Sequence, residues 1–96
     1  MEVNNLFGSK FSKISLEDIK NYLNVFDGDS DLLIQTFLDS SKDYIRNHTG
    51  QSDSYLDEKK EIVAALYMLV EQFYDGHNNH EKSIENILSL HPNNLI

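Results

Sequence analysis

Residues 62–70 read Ile-Val-Ala-Ala-Leu-Tyr-Met-Leu-Val and form the most apolar segment of the chain. Its only polar side-chain group is the hydroxyl of Tyr67. An apolar run of this kind could form a buried strand, but the length of the segment and its two alanines favour a helix. We predict a helix over residues 55–75, ended by Gly76 and enclosed by other parts of the protein on several sides.

The start of this central helix is predicted from a capping box. The segment SYLD at residues 54–57 has a serine and an acidic residue three positions apart, which satisfy free backbone donors at a helix start. At 1.5 Å per residue, the helix would be roughly 30 Å long. We therefore expect the shorter helices to leave part of it uncovered, so that other copies of the chain or partner proteins complete its burial.

Two further helices are predicted upstream. The segment SLED at residues 15–18 is another capping box and opens a helix over residues 16–24. The acidic segment DGDSD at residues 27–31 breaks the pattern, and its serine caps a helix over residues 31–48 that ends at Gly50. Apolar and small side chains recur along this second helix at three- and four-residue steps, as a stripe on one side. The stripe consists of Leu33, Ile34, Phe37, Leu38, Ser41, Tyr44, Ile45 and His48.

The remaining segments complete an all-α fold. A short helix is predicted over residues 80–90 and is stopped by His91-Pro92. Residues 1–13 show no helical period and are predicted to form an N-terminal arm, whereas residues 92–96 form a short C-terminal tail. We predict a small four-helix domain over residues 14–91, with the two longer helices packed as a hairpin and two shorter helices closing its ends.

The charge balance limits the partners of the chain. It has 8 basic and 16 acidic residues, a net charge of −8, and a single arginine, Arg46. Tight nucleic-acid binding requires Lys and Arg to neutralise phosphates, so we expect at most passive contact with DNA. No apolar run approaches the ~20 residues of a membrane helix, so no membrane partner is expected.

Three patterns that could indicate chemistry fail on inspection. The acidic segment at residues 27–31 begins like an EF-hand loop, but Leu32 and Leu38 occupy the positions that need glycine and a bidentate glutamate. His77 and His80 lie in a polar loop, and no predicted helix holds both imidazoles on one side. The sequence has no cysteine and no glycine-rich phosphate loop. We therefore expect no metal, no cofactor and no enzymatic activity.

The order of these features resembles a known family. The segment SLEDIKNYL at residues 15–23, the acidic break, and the segment YIRNHTG at residues 44–50 are similar to those of the small head–tail connector proteins of tailed bacteriophages. The apolar helix that finishes in Phe73-Tyr74 fits the same pattern. The resemblance covers residues 14–75, and the segment after it departs from the family's usual ending.

The resemblance implies a structural protein of the virion neck, made in the host cytoplasm and acting in virion assembly and DNA packaging. Copies would form a ring, usually a dodecamer in the virion, beneath the portal protein. The ring would extend the DNA channel, touch the DNA passively and dock the stopper or tail-completion protein. The alternative is a small acidic helical regulator that binds and masks a basic protein partner.

Aromatic side chains are the predicted contact residues of such a protein. Most of the aromatic rings on the two long helices are expected to be core, while Tyr55 and Tyr74 lie at the ends of the central helix and are expected to be the most exposed. Leu6, Phe7 and Phe11 make the arm too apolar to remain in water, so it packs on its own domain or on a neighbouring subunit. The predicted interface residues are Phe7, Phe11, Tyr55 and Tyr74.

Overall fold

A computed structural model of the chain describes residues 10–77 and 79–91, and these residues contain helices and turns but no strand. The described part forms a 3-10 turn (Phe11–Lys13) and five α-helices. The all-α prediction is confirmed, and four of the helices correspond to those predicted. The helices are α1 (Leu16–Leu23), α2 (Asp31–Thr49), α3 (Asp53–Asp57), α4 (Lys60–Asp75) and α5 (Glu81–Leu88).

Local signals begin and end several helices as the sequence predicts. The Ser15 side chain accepts a hydrogen bond from the Asp18 backbone N–H, and the Asp18 carboxylate accepts one from the Ser15 N–H, which completes the capping box of α1. Gly50 and Gly76 have left-handed φ values of 68° and 75° and end α2 and α4. Asn24 ends α1 in the same way, with a φ of 62°.

The predicted third helix is divided in two, and the prediction that a capping box at residues 54–57 begins it is wrong. The Ser52 side chain caps α3 instead, and this helix ends after five residues at Asp57. Lys59 then has an extended backbone, with φ of −115° and ψ of 104°, before α4 begins. The break leaves the Asp57 carboxylate free to accept two hydrogen bonds of 2.8 Å, from the backbone N–H and the hydroxyl of Ser12.

The two longest helices, α2 and α4, form the centre of the molecule and pack against each other. Phe37 lies near the beginning of α2 and stacks on Phe73 near the end of α4, so the two helices run antiparallel, as the predicted hairpin requires. Helices α1 and α5 both pack against this pair, and α3 packs on the 3-10 turn.

The apolar stretch of α4 at residues 62–70 is almost completely enclosed within one subunit, so the expectation that this stretch stays partly uncovered until other molecules complete its burial is wrong. Its sixteen residues span about 24 Å. Only Ala64 and Met68 are partly exposed between Ile62 and Val70. The residues that cover this stretch come from both ends of the described chain as well as from α1 and α2. The sequence pattern of α4 alone does not reveal these contacts. The covering residues, each less than 5% exposed, include Phe11, Ile14, Ile19, Ile84 and Leu88.

The 3-10 turn fixes the segment after residue 9 to the domain. The Phe11 ring is fully buried, and the Arg46 guanidinium carbon lies 5.5 Å from its centroid. The Lys42 ammonium donates a hydrogen bond of 2.9 Å to the Ile14 carbonyl, and partial burial lowers the pKa of Lys42. Phe11 therefore packs on its own domain, the first of the two alternatives for the arm.

Candidate subunit interface

The apolar stripe of α2 is split between a buried side and a more exposed, shallow side. Leu38 is 1% exposed, whereas Leu33 and Tyr44 are 51% and 45% exposed. At about 100° per residue, the members of the shallow side lie within roughly 60° of one another around the helix axis. The shallow side consists of Leu33, Phe37, Tyr44 and His48.

A groove of about 210 Å³ opens beside this shallow side, between α2, α4 and α5. Tyr44 and Phe73, each 45% exposed, form its aromatic walls. Leu69 and Ile84 are buried and form its apolar floor. The groove therefore offers apolar surface between polar side chains. The polar lining consists of Gln72, Glu81 and Glu85.

Aromatic contacts hold the walls of the groove in place. Phe37 stacks on Phe73 with ring centroids 5.5 Å apart and planes 11° apart. Tyr44 stacks on His48 at 5.6 Å with an angle of 25°. Stacked pairs of this kind add about 0.5–1.5 kcal/mol beyond area burial. The surface is therefore formed before any partner binds.

Large apolar side chains are exposed at two further places. Phe26 in the turn before α2 and Leu32 in its first turn are 78% and 82% exposed. Leu90, which follows α5, is 67% exposed. The sequence pattern puts Leu90 on the apolar side of the last helix and does not predict exposure of Phe26, whereas Leu32 could have been found because it lies outside the apolar stripe of its helix. Most of the aromatic rings of α2 and α4 are predicted to be core, but Tyr44 and Phe73 are exposed.

The predicted interface residues differ in how much of each side chain is exposed. Tyr74, at the end of α4, is 39% exposed. Tyr55 is half-buried, and its hydroxyl lies 2.7 Å from His91 Nδ1. Phe11 is enclosed by its own subunit, which leaves its ring no surface to offer a partner. Phe7 lies outside the described residues.

His91 links the end of the described chain to α3 and α4. The histidine is 6% exposed, and its Nε2 lies 2.6 Å from a carboxylate oxygen of Glu61. A backbone hydrogen bond, and then the bond with His91, lower the pKa of Glu61. With Tyr55 on its other nitrogen, the imidazole is fully engaged within the subunit.

A second histidine, His80, is likewise paired with a single carboxylate. Its Nε2 lies 3.1 Å from Glu71 Oε1, which also accepts a 2.8 Å hydrogen bond from the Tyr22 hydroxyl. Burial and this hydrogen bond raise the pKa of Tyr22 to about 12. Within residues 10–77 and 79–91, no three His, Cys, Asp or Glu side chains are placed to hold a metal ion.

The single arginine is also engaged within the subunit. Arg46 donates hydrogen bonds of 2.8 and 3.2 Å to the two carboxylate oxygens of Asp53, and one of 2.9 Å to Asp43. The bond from Arg46 lowers the pKa of Asp53. The guanidinium therefore neutralises acidic side chains of its own subunit.

Comparison with known proteins identifies the family. Residues 13–89 match the family model described as phage gp6-like head-tail connector protein, and this match includes all the α-helices described above. No curated protein and no solved structure matches the chain. None of the helices in the described part is long and apolar enough to cross a membrane. The family is structural rather than catalytic. The chain belongs to the phage gp6-like head–tail connector family, as the sequence resemblance indicated, and has a structural connector role in the phage.

Proposed function

We propose that this connector is a ring-forming adaptor of the virion neck. Copies made in the host cytoplasm assemble beneath the portal protein, usually as a dodecamer, and extend the channel through which DNA is packaged. The far side of the ring docks the stopper or tail-completion protein. The family match favours this function over a small acidic regulator that masks a basic partner.

One observation carries the proposal: the core is complete within a single subunit, yet large apolar side chains remain exposed in three regions. These regions are the groove with the neighbouring end of α4, the turn before α2 with the first turn of that helix, and the residues after α5. A ring needs two different surfaces on each subunit, because head-to-tail contacts join unlike faces. An adaptor needs further surfaces for the proteins above and below it. Three separate apolar regions on one small domain suit these demands.

The charge of the subunit suits an inner wall that DNA passes without binding. Each copy has a net charge of −8, and its one arginine is paired with carboxylates. Such a surface does not neutralise DNA phosphates, so no counterions are released from the DNA and binding brings no electrostatic gain. Salt screens the repulsion beyond about 8 Å at physiological ionic strength. Contact with the channel DNA is therefore passive.

The groove and the exposed tyrosine of α4 are the proposed contact surfaces. Tyr74 offers a ring that is already partly exposed, and Phe7 belongs to the arm. Tyr55 offers only the exposed part of its ring, because its hydroxyl is engaged by His91. Phe11 is left out of the proposed interface because it is fully buried.

Sedimentation of the chain with and without the portal protein of the same phage tests this function. We expect a large complex of several connector copies with the portal, and Phe73→Ala to weaken it by about tenfold because the variant removes a wall of the groove. Asp75→Ala, an exposed change on the same helix outside the groove lining, serves as the matched control and should leave assembly intact. A monomer that ignores the portal would contradict the proposal.

A further inference from the structure

The groove and the beginning of the described chain lie on opposite sides of α2. Tyr44 forms a wall of the groove. Lys42 and Arg46, which contact the 3-10 turn through Ile14 and Phe11, are each two residues from Tyr44. Two residues correspond to about 200° of rotation, so both side chains leave the helix roughly 160° away from Tyr44. The arm therefore joins the domain on the side of α2 that faces away from the groove.

Residues 1–9 are too short to bring Phe7 into the groove of the same subunit. Phe7 is three residues before Lys10, so a fully extended chain places the Phe7 Cα at most about 11 Å from the Lys10 Cα. The Lys10 ammonium lies 3.9 Å from the Glu58 carboxylate, next to the end of α3. To reach the groove, the chain would have to travel at least about 16 Å, which is the path half-way around a helix 10–12 Å wide. The segment from Lys10 to Phe7 is shorter than this path.

The composition of the arm matches the lining of the groove. Residues 1–9 contain the apolar pair Leu6-Phe7, followed by Gly8, and a single acidic residue, Glu2. An aromatic ring can stack between aromatic walls, and an aliphatic side chain can cover an apolar floor. A segment with so few carboxylates also limits repulsion from the acidic side chains of the polar lining.

We propose that the groove of each subunit receives Leu6 and Phe7 from the arm of a neighbouring copy. This inference rests on the ring proposed above and names one of its contacts. Because the arm leaves one side of α2 and the groove opens on the other, the contact is head-to-tail and can repeat from subunit to subunit until the ring closes.

Disulfide trapping tests the contact in the full chain, which has no native cysteine. The double variant Gly8→Cys/Glu85→Cys, which keeps the Leu6 and Phe7 side chains, is assembled with the portal and mildly oxidised. Linkage between neighbours gives a ladder of covalent oligomers on a non-reducing gel. The control Gly8→Cys/Asn21→Cys, whose second cysteine replaces an exposed residue of α1 away from the groove, should give no ladder.

Every other outcome of the trapping experiment overturns the inference. A disulfide closed within one chain would show that the arm reaches its own groove. Assembled rings without a ladder would contradict the arm contact while leaving the ring intact. Failure of the unmodified chain to assemble would contradict the proposed function, and the arm contact with it.

A second measurement uses two matched substitutions within the arm. Phe7→Ala should weaken assembly on the portal by about tenfold, because it removes the aromatic ring from the groove. Val3→Ala changes another apolar residue of the arm and should weaken assembly less than about twofold. Equal effects of the two variants would contradict a specific role for Phe7.

Discussion

Phe37 and Phe73 stack across the contact of α2 with α4, with ring centroids 5.5 Å apart, while Phe73 keeps 45% of its surface exposed. The pair thus belongs to the packing of the subunit and also forms an edge of the groove. A wall held in this way needs little reorganisation when a partner binds, and preformed surfaces lose less entropy on association. The same ring therefore connects the fold to the proposed assembly.

Truncation of Phe11 should destabilise the subunit strongly. Its ring is fully buried, so Phe11→Ala should lower the free energy of unfolding by about 3–5 kcal/mol in urea denaturation. Phe26→Ala removes a ring that is 78% exposed and should change it by less than about 0.5 kcal/mol.

Should Phe11→Ala fail to fold, the milder Phe11→Leu still tests the same point. This variant should lose about 1–1.5 kcal/mol. A loss no larger than that of Phe26→Ala would contradict the packing of Phe11 in its own core.

Tyr74 should matter for assembly more than for folding. Its ring is 39% exposed, so Tyr74→Ala should cost about 1 kcal/mol of stability and lower assembly on the portal by about tenfold. Melting temperature and sedimentation measure the two effects. Tyr67→Ala, at a fully buried position of the same helix, should lower both the melting temperature and the assembly on the portal. The same pattern in Tyr74→Ala would assign Tyr74 to the core.

The pair of Arg46 with Asp53 should make stability depend on pH on the acid side. The hydrogen bond from Arg46 holds the pKa of Asp53 below its ordinary 3.8. A lowered pKa in the folded state gives stability that is present above about pH 4 and is lost as the pH falls through the folded-state pKa. Both side chains are more than one third exposed, so the contribution stays below about 1 kcal/mol.

The variant Asp53→Asn removes this contribution. The difference in melting temperature between the original chain and the variant should therefore be largest near neutral pH and shrink as the pH falls below about 4. Asp75→Asn, an exposed change at the end of α4, serves as the control. A difference for Asp53→Asn that grows in acid would contradict the assigned pair.

Removal of the Ser41 hydroxyl should stabilise the subunit. Ser41 is fully buried on α2, and its hydroxyl has no hydrogen-bond partner among the described residues. Burial of an unpaired hydroxyl is unfavourable and alanine is the better helix former, so Ser41→Ala should raise the free energy of unfolding by about 1 kcal/mol. Ser40→Ala, exposed on the same helix, should gain less than about 0.5 kcal/mol. A loss in Ser41→Ala would show that the hydroxyl forms a stabilising bond.

Helix ends in this chain could be predicted from sequence where the signal is local. The capping box at Ser15 and the left-handed glycines Gly50 and Gly76 act within one turn of their own helix. The break after Asp57 could not be predicted, because its carboxylate bonds to Ser12, which is 45 residues away in the chain. Such a contact exists only once the 3-10 turn has packed on α3.

The candidate interface was predicted only in part, for a different physical reason. Periodicity shows which residues share a side of a helix, but not how far the neighbouring helices extend over that side. Tyr44 and Leu38 belong to the same stripe, yet the packing of α4 and α5 leaves Tyr44 45% exposed and Leu38 1% exposed. The same limit explains why the burial of residues 62–70 could not be predicted, since their cover includes residues from distant segments such as Phe11 and Leu88.

Electron microscopy of the full chain mixed with the portal protein of its own phage would show whether the connector forms a ring. We expect a closed ring of connector subunits stacked on the portal, with its opening continuous with the portal channel. Portal particles that carry no added ring, alongside connector that stays monomeric at concentrations well above those of the portal, would contradict it.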